Sequence, residues 1–478
     1  MINVIGRKRE VEELTRRYNG SEAEFIAVYG RRRVGKTYLI KEMYGKEFAF
    51  HHTGLSPADN TTAKSATADQ LKSFYFSLVK YGLEGESQPK DWLEAFFLLE
   101  KLLEQKADGK RQVVFIDEMP WMDTPRSGFI KGLENFWNGW ANYHKSVFLI
   151  VCGSTTSWIT NKLVHAKGGL YGRLTDKIKL VPFSLSECAE FYRSRGIPMK
   201  SYDVVESYMA LGGIPYYMDY FLPSMSVAQN IDNLFFVKNA KLANEFNQLF
   251  ASIFSNPEDM KSIVSFLATR HAGFTREQIA KGTGLPYGGM LSSYLKALEE
   301  TDFITHYIPY GYSLRQKHYK LTDSFCWFWL HFKTDKNVQP GNYWLENQNL
   351  PSVVSWRGIA FEEVCFNHIE KIKQALGIAG VAATISSYIA TGDKVKDGMQ
   401  IDLIIDRSDH IINVCEMKFV RGDFSVDMAY SRIINSRIEE IASHTRKNVH
   451  STLITTYGLN HNEYYSDFQK IITLDDII

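Results

Sequence analysis

Cysteine is scarce and scattered in this chain of 478 residues: Cys152, Cys188, Cys326, Cys365 and Cys415, with no CxxC pair. An odd, dispersed set argues against a zinc knuckle or a disulfide framework and predicts a reducing, cytoplasmic compartment. Excess charge is lacking too. The net charge is +1, so no global field draws the chain to nucleic acid or to an anionic membrane, and any basic surface is local. No apolar run approaches the length of a membrane span. The charged opening MINVIGRKREVEELTRR has no apolar core segment, which predicts no signal peptide. What remains is ordinary globular material, 45% hydrophobic and 23% charged, long enough for about two to four domains.

Against that plain background one octet stands out. Residues Gly30 to Thr37 read GRRRVGKT and fit G-x-x-x-x-G-K-[ST]. The apolar run Phe25-Ile26-Ala27-Val28-Tyr29 leads into it, and the helix-forming stretch Tyr38 to Met43 follows. That is the strand, loop and helix context in which the motif has a mechanism. Gly30 and Gly35 let the backbone wrap a phosphate with its N–H groups turned inward. Lys36 brings a positive charge to the β- and γ-phosphates, and Thr37 offers a hydroxyl to Mg²⁺. The inner residues Arg33 and Val34, and Tyr38 just beyond, belong to the same nucleotide-binding segment. The ligand this predicts is ATP with Mg²⁺.

A second motif supports the first. Residues 113–118 read VVFIDE, an apolar run closing on two acids. A strand of this kind is expected beside the P-loop strand, with Asp117 in the Mg²⁺ shell next to Thr37 and Glu118 polarising the attacking water. A third strand, Val147 to Cys152, ends in Gly153-Ser154-Thr155. There Ser154 either contacts the γ-phosphate or the catalytic water, or is a plain strand-to-loop turn. With further apolar runs at Phe48 to His52 and Lys177 to Phe183, the pattern predicts a parallel α/β sheet of about five strands. Ligands of such sheets bind at the C-terminal strand edges, where all three motifs sit.

The order of short motifs adds a resemblance. Ile5-Gly6-Arg7-Lys8-Arg9-Glu10 resembles the GRExEL box that precedes the P-loop in archaeal-type ATPases of the STAND branch, related to AAA+ ATPases. GRRRVGKT, FIDE, CGS, Leu170-Tyr171-Gly172-Arg173 and Gly212-Gly213-Ile214-Pro215 are similar to that family's signatures, in its order. The resemblance implies that Gly6 and Arg7 pack near the adenine, although Lys8-Arg9 stands where an acid often follows the arginine. It also implies that Arg173 contacts nucleotide or couples the sheet to the next domain. A helix-terminal ion pair is the competing reading of Arg173.

Residues 185–257 read as helices with GGIP as a turn, and 258–335 as a winged helix. Thr275-Arg276-Glu277-Gln278 has the form of a capping box, and Gly288 to Glu299 form the third helix. A hairpin, Phe303 to Ile308 and Ser313 to Leu321, follows. The third helix turns Ser292, Ser293, Lys296, Glu299 and Glu300 outward, a poor phosphate-binding face. The hairpin is better supplied, with Tyr307, Tyr310, Tyr312, Arg315, Lys317, His318 and Lys320. Either this wing touches DNA, or the module is structural and relays nucleotide state.

The C-terminal stretch, 336–478, holds the second chemical constellation. Gly358-Ile359-Ala360-Phe361-Glu362 is expected to open a helix with Phe361, Cys365, Ile369 and Ile372 as its apolar stripe. In Met399 to Ile405, Met399, Ile401, Leu403 and Ile405 share one strand face and Asp402 takes the other. On Ile411 to Phe419, Glu416 and Lys418 share a face because side chains repeat every two residues. A helical Glu, then Asp-x13-Glu-x-Lys across a hairpin, is similar to the PD-(D/E)xK nuclease superfamily, though Ile401 stands where a proline is usual. That resemblance implies Asp402 and Glu416 on one Mg²⁺, Lys418 at the attacking water, and Glu362 completing the set. Solvated charges on an ordinary hairpin are the competing reading.

The expected architecture is thus a P-loop ATPase domain (1–184), a helical segment (185–257), a winged helix (258–335) and an α/β restriction-endonuclease-like domain (336–478). The expected function is a nucleotide-regulated ATPase acting on DNA through a metal-dependent nuclease-like domain. The rival is an ATP-dependent switch whose C-terminal domain binds nucleic acid without cutting it. ATP, DNA and a further copy of the chain are the expected partners, and a membrane is not.

Overall fold

The computed structural model describes residues 4–56, 63–166, 168–333, 341–390 and 399–478. The chain divides into two compact units at the step from Val181 to Pro182. The boundary expected at 184 falls close to that step, and the one expected at 335–336 lies outside the described residues.

The first unit is a sheet flanked by helices. Its strands are β1 (Glu24–Tyr29), β2 (Phe48–Thr53), β3 (Gln112–Asp117), β4 (Val147–Gly153) and β5 (Asp176–Lys179), in the order β2-β3-β4-β1-β5. All pairings are parallel. Residues Phe25 to Val28, Val113 to Ile116 and Val147 to Cys152 are fully buried, as continuous apolar runs in a doubly covered parallel sheet must be. One expectation fails here. The strand ending in Asp117 is not beside the P-loop strand, because β4 lies between β3 and β1.

The helix Trp92–Gln105 shows how sequence drives the packing. Asp91 caps it by accepting from the Glu94 N–H at 2.9 Å. Trp92, Ala95, Phe96, Leu99, Leu102 and Leu103 recur at helical spacing and are all buried. Each large apolar side chain so buried contributes about 1.5–3 kcal/mol. The partner helix Phe129–Gly139 comes close at Gly132, where a Cβ would stand 2.8 Å from the Trp92 carbonyl oxygen.

The second unit begins with helices Leu185–Ser194, Ser201–Leu211, Val227–Phe235 and Glu245–Ile253. Gly212 and Gly213 both take positive φ (67° and 65°) and Pro215 starts the next short helix, so GGIP is the expected turn. Helices Pro257–Leu267, Arg276–Thr283 and Gly289–Glu300 follow, with the antiparallel strands β6 (Phe274–Thr275), β7 (Ile304–Tyr307) and β8 (His318–Leu321) in the order β6-β8-β7. Both bonds of the Thr275–Gln278 capping box form. The stretch up to Asn349 holds the buried Trp344, whose backbone N–H donates to Asp232.

The helix Pro351–Asn367 starts earlier than expected, and Ile369–Ala375 is a separate helix. Then come β9 (Ala383–Ala390), β10 (Met399–Arg407), β11 (Ile411–Lys418), helix Met428–Ser443, β12 (Asn448–Thr455) and β13 (Lys470–Ile472). The sheet order is β13-β12-β11-β10-β9. The β9, β10 and β11 pairings are antiparallel, whereas β12 joins β11 in parallel through the crossover helix. Among the described residues no helix is long and apolar enough to cross a membrane.

Candidate functional site

The phosphate loop forms where β1 gives way to helix Lys36–Tyr44. Gly30 (φ 140°), Arg33 (φ 73°) and Gly35 (φ 93°) leave the right-handed regions, which curls the backbone back on itself. A Cβ at Gly30 would be driven into the carbonyl of Leu180, so the position tolerates only glycine. Lys36 is buried, and its Nζ donates to the carbonyls of Gly30 (2.9 Å) and Arg31 (2.8 Å), bracing the loop. Burial pulls its pKa below the ordinary lysine value, against the opposing pull of Cys152, Glu118 and Asp117.

The acids meet this loop from β3. Thr37 Oγ1 donates to Asp117 Oδ2 at 2.8 Å, so the two residues expected to share a Mg²⁺ shell are in direct contact. Glu118 sits at φ 45°, a strained backbone for a non-glycine residue. Its Oε2 accepts from the Ser154 N–H (3.0 Å) and the Ser154 hydroxyl (2.9 Å). Ser154 therefore holds the carboxylate that was expected to polarise water. The N-terminal box also reaches the loop. Gly6 and Arg7 take positive φ, Arg7 is buried, and its Nη2 donates to the carbonyl of Val34 at 3.2 Å. Tyr38 is half exposed. Arg173 is exposed in the turn after Leu170.

The second constellation lies in the second unit. Leu403 pairs with Cys415, one step inside Asp402 on β10 and Glu416 on β11. Glu362 projects from helix Pro351–Asn367 toward the same place. His271, in the turn between helix Pro257–Leu267 and β6, joins them: candidate ligand atoms of His271, Glu362 and Asp402 lie within 4.8 Å of one another. His271 Nδ1 is 3.2 Å from Glu362, and its Nε2 is 3.4 Å from Glu363. Lys320 Nζ closes on Glu363 at 2.8 Å, with both side chains nearly inaccessible.

The electrostatics of this cluster divide its carboxylates. Burial raises the pKa of Glu362, His271 opposes the rise, and the charges of Asp402 and Glu416 add to it. Burial works against ionised Glu363 as well, but Lys320 and His271 outweigh it and hold that pKa low. His271 is itself opposed by burial, yet Glu362 and Glu363 raise its pKa to about 9. Glu416 is claimed from other directions. Lys418 Nζ lies 2.9 Å from it, and Tyr430 and Arg437, both on helix Met428–Ser443, bond its two oxygens. Burial alone would raise Glu416, but Lys418, Arg437 and Tyr430 bring it below the usual range. Glu416 therefore stands outside the His271, Glu362 and Asp402 group, whereas the sequence pairs it with Asp402 on one ion.

The wing's contacts bear on the two readings left open for it. Lys320 and His318 are buried, and the Tyr307 hydroxyl donates to the carbonyl of Ala272. Tyr310 N–H donates to Ser387 on β9, and Tyr312 donates to Ile389 on the same strand. Of the seven hairpin residues counted toward a DNA contact, Arg315 and Lys317 remain exposed without such an anchor. Sequence reading missed His271, Glu363, Tyr430 and Arg437. The seven-residue step from Tyr430 to Arg437 places both on one helix face and was the available signal. His271 offered none.

One family model covers the stretch that holds the phosphate loop. Residues 5–221 match an ATPase domain predominantly from Archaea. An uncharacterized protein of Methanocaldococcus jannaschii is 27% identical over 334 residues, covering 69% of this chain and 68% of that protein. An uncharacterized ATP-binding protein of the same organism is 50% identical over 42 residues, 9% of this chain and 71% of that protein. Among solved structures, the Walker-type ATPase paby2304 of Pyrococcus abyssi aligns at 16% identity and TM-score 0.48, covering 69% of this chain and 97% of that one. The ORC2 protein of Aeropyrum pernix in ADPNP–ADP complexes aligns at 14% identity and TM-score 0.41, covering 69% and 94%. Residues 5–221 of this chain accordingly resemble the predominantly archaeal ATPase domain, and the front of the chain is an ATP-binding P-loop ATPase.

Proposed function

We propose that the protein is an ATP-regulated enzyme acting on DNA, in which a P-loop ATPase domain governs a winged helix and a metal-dependent nuclease-like domain. At the front, the loop N–H groups and Lys36 receive the phosphates, Thr37 and Asp117 hold Mg²⁺, and Glu118 orients the attacking water. Ser154 holds Glu118 in one position, and γ-phosphate arriving at this strand edge competes for the Ser154 donors. That competition couples the catalytic acid to the nucleotide.

For the C-terminal half, the observation that carries the reading is the meeting of Glu362 and Asp402 with His271, while Glu416 and Lys418 pair with each other on the neighbouring strand. A helical Glu362 followed by Asp402 and Glu416 on the paired strands β10 and β11 supports the PD-(D/E)xK resemblance. Burying several carboxylates together is costly without cations to balance them. Glu362 and Asp402 fit a divalent cation, which would polarise a phosphodiester and lower the pKa of a bound water. Lys418, anchored on Glu416, places its ammonium beside that centre to orient the water. With the wing anchored on β9, the module transmits nucleotide state and leaves DNA contact to Arg315, Lys317 and the nuclease-like domain.

One observation favours the rival switch reading: both oxygens of Glu416 are already engaged by Tyr430 and Arg437. A single comparison separates the two. Asp402→Ala abolishes Mn²⁺- or Mg²⁺-dependent cleavage of DNA while leaving ATP hydrolysis intact if the enzyme reading holds. If the wild type never cleaves but assembles on ATP, and Lys36→Ala prevents the assembly, the switch reading replaces it.

A further inference from the structure

We propose that His271, Glu362 and Asp402 form a divalent transition-metal site in which the imidazole Nδ1 is a direct ligand. The site thereby takes an ion such as Mn²⁺ in preference to Mg²⁺. This deepens the nuclease-like reading and rests on it for the purpose of the metal, but not for its binding.

The geometry is close to what such an ion needs. Bonds of about 2.0–2.2 Å place neighbouring ligand atoms roughly 3 Å apart and opposed ones roughly 4 Å apart. Here the three candidate ligand atoms fall within 4.8 Å of one another, with His271 Nδ1 already 3.2 Å from Glu362. A small contraction completes the set. Two carboxylates and an imidazole favour a first-row transition ion over Mg²⁺, which takes oxygen ligands; Mn²⁺, the weakest binder of that series, is the spin-active ion that reads the site.

The surroundings have the form of a supporting shell. Metal-ligating histidines ordinarily donate their other ring N–H to a carboxylate, which fixes the tautomer and turns the free nitrogen to the metal. His271 Nε2 lies 3.4 Å from Glu363 without a formed hydrogen bond, close enough for a small shift to make one, and Lys320 approaches Glu363 at 2.8 Å. Glu363 and Lys320 are both buried, so this chain of contacts is fixed by packing. Trp327 lies edge-on to the imidazole at 5.7 Å between ring centres and limits its rotation. Meanwhile Glu416, the acid that the sequence pattern would place on the ion, is held by Lys418, Arg437 and Tyr430. The histidine takes the ligand position that Glu416 leaves, and it comes from the module ahead of the nuclease-like domain. The metal centre is therefore complete only when that module is docked.

The test is Mn²⁺ binding to the full-length chain, followed by electron paramagnetic resonance with electron-spin-echo detection of bound nitrogen. Asp117→Asn is used as the background so that the phosphate-loop site does not report. About one Mn²⁺ per chain with a directly bound imidazole nitrogen is expected. His271→Gln removes the nitrogen signal and weakens Mn²⁺ at least about tenfold, the scale on which even outer-shell changes act, with a smaller change for Mg²⁺. Should that variant not fold, Asp402→Asn and Glu362→Gln weaken Mn²⁺ comparably. Absence of Mn²⁺ binding, Mn²⁺ bound without nitrogen, or a nitrogen signal that survives His271→Gln overturns the proposal. DNA cleavage is scored separately. A nitrogen-ligated ion with no cleavage leaves this site standing and removes the nuclease reading, while cleavage without the nitrogen ligand does the reverse.

Discussion

Replacing Lys320 with methionine separates a structural wing from a DNA-reading one. Its Nζ lies 2.8 Å from Glu363, with side-chain exposures of 5% and 6%, and 3.5 Å from the centre of the Phe366 ring. Methionine keeps the stem and its packing but leaves the Glu363 carboxylate with only His271 as a charged partner. Removing one member of a buried pair costs about 3–5 kcal/mol, because the remaining charge stays desolvated. For a unit as long as Pro182–Ile478 the low end of the conversion applies, roughly 2 °C per kcal/mol, so its unfolding midpoint falls by about 6–10 °C. Differential scanning calorimetry on the full chain reads this directly. Replacing the partner too, as Lys320→Met with Glu363→Leu, recovers most of the loss, since an apolar pair carries no stranded charge. A surface lysine contacting phosphate behaves oppositely: stability stays within about 0.5 kcal/mol, and the salt slope of DNA binding drops by about one. That second outcome would refute the buried-pair account.

Other expectations follow from the same contacts. Glu118→Gln leaves ATP binding intact but lowers steady-state hydrolysis by about 10²–10⁴-fold, the contribution of a positioned proton acceptor. Equal turnover would remove Glu118 from the water-activating role. Gly30→Ala forces a Cβ toward the Leu180 carbonyl at φ 140°. It abolishes nucleotide binding in a fluorescent-ATP titration, and retained binding would mean the loop can re-form elsewhere. Glu100 is raised to about 7, first by burial and then by Glu104. A carboxyl with a raised folded-state pKa favours the fold at low pH and loses that advantage as pH rises through about 7. Glu100→Gln therefore stabilises the protein above neutrality by about 1 kcal/mol after discounting for solvent screening, and does nothing near pH 4. A pH-independent shift in midpoint would contradict the cause given.

The parts legible in sequence were those fixed by local spacing. GRRRVGKT needs only a strand before it and a helix after it, and its geometry follows from two glycines. Asp402, Glu416 and Lys418 were legible because a hairpin with period-two alternation puts them on one edge. What the sequence hid was decided by contacts between distant segments. Nothing local to VVFIDE says that β4 inserts between β3 and β1. The cationic residues of the wing left two readings open in sequence, a DNA contact or a structural relay, and β8 turns Lys320 inward against Glu363. His271 is the clearest case, since its role depends wholly on the packing of one module against a helix and strand that follow much later. The Glu362-Glu363 pair illustrates the same limit. Both acids were visible, but only the helix phase shows that one faces Asp402 and its neighbour faces Lys320.

The most direct test of the central claim is cleavage of linear and supercoiled DNA by the full chain with Mg²⁺ or Mn²⁺, with and without ATP, comparing wild type with Asp402→Ala and Lys36→Ala. The account predicts metal-dependent cleavage that Asp402→Ala abolishes and whose ATP response Lys36→Ala removes. Cleavage that persists in Asp402→Ala, or no cleavage by wild type under any of these conditions while ATP is still bound and hydrolysed, would contradict it.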